Sequence, residues 1–313
     1  MTESDNSQTI IKEIRKEKIG NIELAEDHRK AYYIEGSEIE LVEKIDDDFT
    51  IEKVILDHDG TISTLREGWE VVMHQVMMEV ICGSKLSELS KEKYNEISLK
   101  CERFIDDTTG IQTIVQMQGL RDMVIEENFI PQNEIKTAAE YKAFYLDRLM
   151  VSVNDRMRRF KSGERELCDF VIQGASNLLD SLRERELKLF LASGTDEDDV
   201  IIEAETLGYA DYFNGGIRGS KGNEIGDAKK IVIERIIKED NSAGKNLMVI
   251  GDGPVEIIEG RKAGALCIGV ASDEVRRHGI NFKKRTRLIK AGAHIIIPDF
   301  SQLPLILQTI FRK

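Results

Sequence analysis

The chain has 313 residues, enough for one large domain or two smaller ones, and its 41% apolar and 32% charged content fit a soluble globular protein. A net charge of −13 argues against a nucleic-acid partner, which would need a basic footprint, and no apolar run reaches the length of a membrane span. The polar start MTESDNSQTI lacks the apolar core of a signal peptide, so a cytoplasmic protein without a membrane partner is expected. Cys82, Cys101, Cys168 and Cys267 are too far apart for a CxxC metal or redox site and read as buried free thiols.

In chain order, residues 1–45 read as an N-terminal extension, mixed and charged, with a candidate strand at Glu38–Ile45. A short apolar strand, KVILD, then runs into Asp57, His58, Asp59, Gly60 and Thr61. Crowded carboxylates at a strand end are costly unless something compensates them, although Asp-Gly is also a common turn signal. Strand alternation is expected to turn His58 away from the two acids and make it a packing residue. Residues 64–170 form a helical block with a single proline, Pro131, and no strand; Met73 and Met77, one turn apart, belong to a helix core.

From Ser176 onward helices alternate with short buried strands, among them LKLFLASGT, NLMVIGDG and LCIGVAS. That alternation predicts an α/β protein with a doubly wound, parallel, Rossmann-like sheet. KVILD would be its first strand, so residues 46–63 and 171–313 form the core and residues 64–170 an all-α insertion. In such sheets the ligand site lies at the carboxyl ends of the strands. Three strand ends carry capable groups: Asp57 to Thr61, Ser193-Gly194-Thr195, and Asp252 with Glu256 following; Lys229 and Lys230 open a nearby helix. Several acidic oxygens around one point suit a hard cation such as Mg²⁺. A carboxylate can attack phosphorus, a second can move the proton, and a lysine and helix-start N–H groups can hold phosphate oxygens.

These residues resemble the haloacid dehalogenase superfamily, in its Mg²⁺-dependent, phosphoglycolate-phosphatase-like branch. Asp57-His58-Asp59-Gly60-Thr61 is similar to the first motif, DxDGT; LFLASGT to the second; VIGDGPVE to the fourth; and LGYADYFNGGIRG to the segment after the second. The resemblance implies a phosphatase in which Asp57 is nucleophile and metal ligand. It makes Asp59 the general acid/base, with its backbone carbonyl on the metal. Thr61, Ser193, Gly194 and Lys229 would bind the phosphoryl group, and Asp252 would complete the Mg²⁺ site. Dehalogenase members lack a second acid at the position of Asp59, which favours phosphate chemistry. The insertion at 64–170 matches the position of a helical cap that excludes water and selects substrate.

Two departures stand beside it. Glu256 replaces the Asp often found in the fourth motif and is a further candidate ligand. Lys229 is preferred over Lys230 because it leads Val232 and Ile233 on the apolar helix face, with Lys221 a weaker third choice. Arg66, Glu67 and Trp69 lie where a hinge or substrate contact would be. Gln112 and Gln116 could present amides to substrate, although exposed helix polar groups are the usual explanation. Asp196, Glu197, Asp198 and Asp199 read as helix first-turn acids, the stretches Glu274–Gly279 and Lys283–Arg287 as solvated basic faces, and His28, His74, His278 and His294 as structural or exposed. The expected substrate is a small phosphorylated metabolite, of phosphoglycolate or sugar phosphate type. A phosphomutase, or a non-catalytic binding or regulatory protein of the same fold, is the alternative.

Overall fold

Residues with branched apolar side chains, buried without interruption, build the centre of the sheet. Strands β3 (Lys53–Asp57), β6 (Leu247–Gly251) and β7 (Leu266–Val270) are buried along almost their whole lengths, as parallel strands covered on both faces must be. The computed structural model describes residues 27–109, 111–221 and 228–311; the opening decapeptide and most of the N-terminal extension therefore lie outside the described residues. Preceding β3 are two short strands, β1 (Tyr32–Tyr33) and β2 (Glu40–Leu41). Four helices follow β3: α1 (Trp69–Cys82), α2 (Lys91–Thr108), α3 (Thr113–Glu127) and α4 (Ala138–Lys161). The remainder runs α5 (Ala175–Glu184), β4 (Lys188–Asp196), α6 (Glu197–Leu207), β5 (Gly216–Ser220), α7 (Ala228–Glu239), β6, α8 (Pro254–Lys262), β7, α9 (Phe282–Ala291), β8 (Ile295–Ile297) and α10 (Leu303–Ile310).

The eight strands are ordered β1-β2-β8-β7-β6-β3-β4-β5. From β8 to β5 every pairing is parallel, whereas β2 pairs antiparallel with both β8 and β1. The protein is thus an α/β protein with a mostly parallel, doubly wound sheet. Ile55, Phe190 and Val249 of the sheet share one buried cluster with Val232 and Ile233 of α7, Ile257 of α8 and Leu288 of α9. Because β3 is flanked by β4 on one side and β6 on the other, its carboxyl end lies where the strand order reverses, the usual place for a ligand crevice.

Residues 27–45 are more than an extension. The candidate strand over Glu38–Ile45 shortens to β2, which extends the sheet edge beyond β8. Its Glu40 forms a fully buried pair with Arg285 of α9, with Nη2 and Nε each 2.6 Å from a carboxylate oxygen.

The chain divides into two compact units: Gly68–Asp155, and a unit whose described residues are 27–67, 156–221 and 228–311. The first unit is helical, and its interior includes Met73, Val76, Met77, Ile97, Cys101, Met117 and Leu120. Residues 64–67 and 156–170 belong with the α/β unit. Three cysteines are buried as expected, but Cys168 is exposed, because it lies on a short turn of 3-10 helix after α4 and not in an apolar element. Among the described residues no helix is long and apolar enough to cross a membrane.

Candidate active site

The loop after β3 is closed by backbone hydrogen bonds from Ile62 and Ser63 to the His58 carbonyl (3.0 and 2.9 Å) and from Gly60 to the Ser63 carbonyl (2.9 Å). Gly60 has φ +76°, and a Cβ there would fall 2.3 Å from Asp252 Oδ2. Only glycine lets this loop and the end of β6 approach so closely. Thr61 is buried, and its hydroxyl donates to Asp57 Oδ2 at 3.3 Å.

Asp57, Asp252 and Glu256 each turn a carboxylate oxygen into one region, the three oxygens lying within 4.8 Å of one another. Lys229 reaches the same region from the first turn of α7, with Nζ 2.8 Å from Asp57 Oδ1 and 2.9 Å from Glu256 Oε2. Glu256 folds back over the start of α8, where its Oε1 accepts from Gly253 N at 2.6 Å; a Cβ at Gly251 would collide with it at 2.3 Å. Burial pushes the Asp57 carboxyl well above its ordinary range against the opposing charge of Lys229, and the neighbouring Glu256 and Asp252 push it further. Burial acts on Lys229 in the opposite sense, yet Asp57, Glu256 and Asp252 outweigh it and hold the ammonium above its usual range.

This donor set fits a hard divalent cation. It offers only oxygens, and three carboxylates face one another around one point. A cation would also offset the burial and the repulsion from Glu256 and Asp252 that push the Asp57 carboxyl upward.

Asp59 faces a second group. Its Oδ2 accepts from Ser193 Oγ at 3.2 Å and from Thr195 Oγ1 at 3.1 Å, both on the irregular end of β4. Ser193 Oγ in turn accepts from Thr195 N at 3.0 Å. Gly194 lies against α7, since a Cβ on it would meet Lys229 Cβ at 3.7 Å. Burial alone would raise the Asp59 carboxyl, but His58, Arg66 and the Thr195 hydroxyl together hold it below the usual carboxylate range.

His58 does not turn away from the acids. Its Nδ1 lies 3.4 Å from Asp59 Oδ1 and 3.9 Å from Glu203 Oε2, while Nε2 contacts Tyr209 Oη at 2.7 Å. The alternation argument fails because β3 ends at Asp57, and a loop does not keep the period of two. Arg66 is buried beside it, bonding Glu203 Oε1 through Nε (3.0 Å) and Nη2 (2.6 Å), with Asp199 at 3.4 Å. Asp199 is therefore more than a first-turn acid of α6. Glu67 is held 2.8 Å from Arg156, whose Nη1 also donates to the carbonyls of Leu65 and Glu67; Trp69 is half-buried at the start of α1.

Sequence reasoning passed over Lys284 and Glu274. The stretch Lys283–Arg287 was expected to form a solvated face, but α9 buries Lys284 and Arg285. Lys284 Nζ lies 2.5 Å from both Asp252 Oδ2 and Glu274 Oε1. Burial tends to raise the Asp252 carboxyl, and Lys284 and Lys229 reverse this and hold it low. The missed signal is helical phase: Lys284 leads Leu288 by one turn on the buried face, as Lys229 leads Val232 and Ile233.

The other candidates stand apart. Lys230 is 42% exposed and 3.7 Å from Glu259, and Lys221 is exposed just beyond β5. Gln112 and Gln116 are buried within the helical unit, and Gln116 Nε2 donates to the Thr108 carbonyl and hydroxyl at 3.2 Å, completing the end of α2. His294 is buried, with Nδ1 accepting from Cys267 N at 3.0 Å. His74 contacts Ser98 at 3.0 Å, whereas His28 and His278 are exposed.

A family model described as haloacid dehalogenase-like hydrolase matches residues 51–264. Among solved structures the chain is similar to a β-phosphoglucomutase from Clostridium difficile (TM-score 0.55, 16% identity, covering 83% of this chain and 97% of that one). It is also similar to a protein described as a predicted phosphatase from Clostridium acetobutylicum (0.52, 18%, 83% and 100%). A third is described as a predicted phosphoglycolate phosphatase from Haemophilus somnus 129pt (0.53, 14%, 82% and 98%). At these identities what is shared is the fold. A search of curated proteins finds no match.

Proposed function

The chain belongs to the haloacid dehalogenase-like hydrolases, and from that premise we propose that it is a Mg²⁺-dependent phosphatase acting on a small phosphorylated metabolite through an aspartyl-phosphate. The observation that carries this reading is the buried cluster of Asp57, Asp252, Glu256 and Lys229, with Asp59, Ser193 and Thr195 beside it. Asp57, Asp252 and Glu256 would hold the cation with the Asp59 carbonyl, and the bound ion would supply charge neutralisation for the acids and the phosphoryl group. In this proposal Asp57 attacks phosphorus. Lys229 holds a phosphoryl oxygen and the transition-state charge, and the Ser193 hydroxyl and Gly194 backbone bind the others. Asp59 protonates the leaving oxygen and then takes a proton from the attacking water. Thr61 fixes the orientation of the Asp57 carboxylate through its hydroxyl.

The helical unit Gly68–Asp155 directly follows the first motif in the chain, and that position supports giving it the family's cap role, the choice of substrate. Phosphoglycolate and sugar phosphates are the classes to try first. The experiment is Mg²⁺-dependent phosphate release from an aryl phosphate, followed by a panel of phosphorylated metabolites. Asp57→Asn should abolish release; activity that survives it contradicts the nucleophile, and a silent wild type favours a binding role for the fold.

A further inference from the structure

Three buried polar atoms beside the loop after β3, His58 Nδ1, Asp59 Oδ1 and Glu203 Oε2, make no hydrogen bond of regular geometry, although His58 Nδ1 and Asp59 Oδ1 face each other at 3.4 Å. They are not scattered. His58, Asp59 and Glu203 each bring one ligand atom within 4.8 Å of the others, and His58 and Glu203 are essentially inaccessible to solvent. Orphaned buried atoms are uncommon and each carries a desolvation cost, so three facing one point call for a common partner. Their surroundings hold them there. Arg66 occupies Glu203 Oε1 and leaves Oε2 turned to the imidazole. Ser193 and Thr195 occupy Asp59 Oδ2 and leave Oδ1.

We propose that His58 Nδ1, Asp59 Oδ1 and Glu203 Oε2 form a second cation site, selective for a borderline divalent ion of the Zn²⁺ or Co²⁺ type and distinct from the all-oxygen cluster at Asp57, Asp252 and Glu256. The separations of 3.4 Å between His58 Nδ1 and Asp59 Oδ1 and 3.9 Å between His58 Nδ1 and Glu203 Oε2 approach the edge of about 3.4 Å spanned by tetrahedral ligands at Zn²⁺ bond lengths. One imidazole with two carboxylates selects such ions over Mg²⁺, which prefers oxygen. Charge agrees: Asp59, Glu203 and Asp199 against Arg66 leave two negative charges for a dication to balance. The ligating tautomer carries its proton on Nε2, donated to Tyr209 Oη at 2.7 Å, a neighbour of the kind that orients metal-bound histidines. A filled site engages the Asp59 carboxylate and so inhibits; this consequence alone rests on the general-acid reading above.

The test is a Co²⁺ titration of the full chain in excess Mg²⁺, followed by visible absorption. One saturable equivalent is expected. His58→Gln and Glu203→Gln should each weaken it at least tenfold, whereas Asp252→Asn should retain it. In wild-type protein labelled with ¹⁵N-histidine, Zn²⁺ should shift one imidazole out of five, a readout that needs no variant to fold. Absence of saturable binding, an unmoved histidine spectrum, or wild-type affinity in both folded variants overturns the site. None of these measurements requires turnover, so their failure is distinguishable from failure of the phosphatase reading.

Discussion

Lys284 shows how one residue sets the electrostatics of the candidate site. It sits between Asp252 and Glu274 with almost no solvent access. Removing it leaves two partly buried carboxylates facing each other, a change that costs up to about 3–5 kcal/mol, the scale for breaking a fully buried pair. Lys284→Met should therefore lower the melting temperature markedly in a metal-free buffer, and saturating Mg²⁺ should restore part of the loss. A melt unchanged in both buffers would show that the pair contributes little. Asp59→Asn is expected to keep the fold while slowing phosphate release roughly 10²–10⁴-fold, the usual scale of general acid–base catalysis; near wild-type turnover would remove Asp59 from proton transfer. The acids at residues 57, 59 and 252 were legible in the sequence because each ends or closely follows a recognisable buried strand, and Glu256 because it opens the helix after β6. His58 and Lys284 were not. A loop side chain's direction depends on where the strand stops, and a lysine inside a basic run looks solvated until the helix carrying it is packed.

Among the elements, α7 was legible to the residue, since its apolar phase alone separates buried Lys229 from exposed Lys230. In the N-terminal segment the strand within Glu38–Ile45 was legible but its place at the sheet edge was not, because the partner of β2 lies some 250 residues away. Besides its backbone pairing with β8, this segment is tied to α9 by the Glu40–Arg285 pair, with both side chains 1% exposed. Arg285→Met should destabilise by about 3–5 kcal/mol by stranding Glu40, and Glu40→Met with Arg285→Met should recover most of that. Chemical unfolding of the two single variants and the double variant checks this; a double variant as weak as the singles would refute it. The amides of Gln112 and Gln116 teach the converse lesson. Polar residues on a helix read as exposed, yet these are buried, and Gln116 completes the end of the preceding helix.

For the whole molecule, the doubly wound sheet and the helical insertion after its first motif strand were visible from alternation and motif order. The antiparallel edge was not, nor was the network behind the loop after β3, because both depend on contacts between distant segments. Stability should also follow pH through His294. Burial and Arg261 lower its pKa from 6.5 to about 4. Between those values the unfolded chain binds a proton that the folded chain refuses, so stability falls as pH drops from 6.5 toward 4, by up to about 1.4 kcal/mol per unit. His294→Gln should flatten that slope in denaturant midpoints measured from pH 7 to 4.

The central claim is that Asp57 carries the phosphoryl group. Its most direct test is borohydride trapping during turnover with Mg²⁺ and a phosphorylated substrate, followed by peptide mass analysis. An acyl phosphate is reduced to the alcohol, so conversion of Asp57 to homoserine is predicted, dependent on both substrate and Mg²⁺. An active enzyme that yields no homoserine at Asp57, or yields it at another carboxylate, would contradict the account.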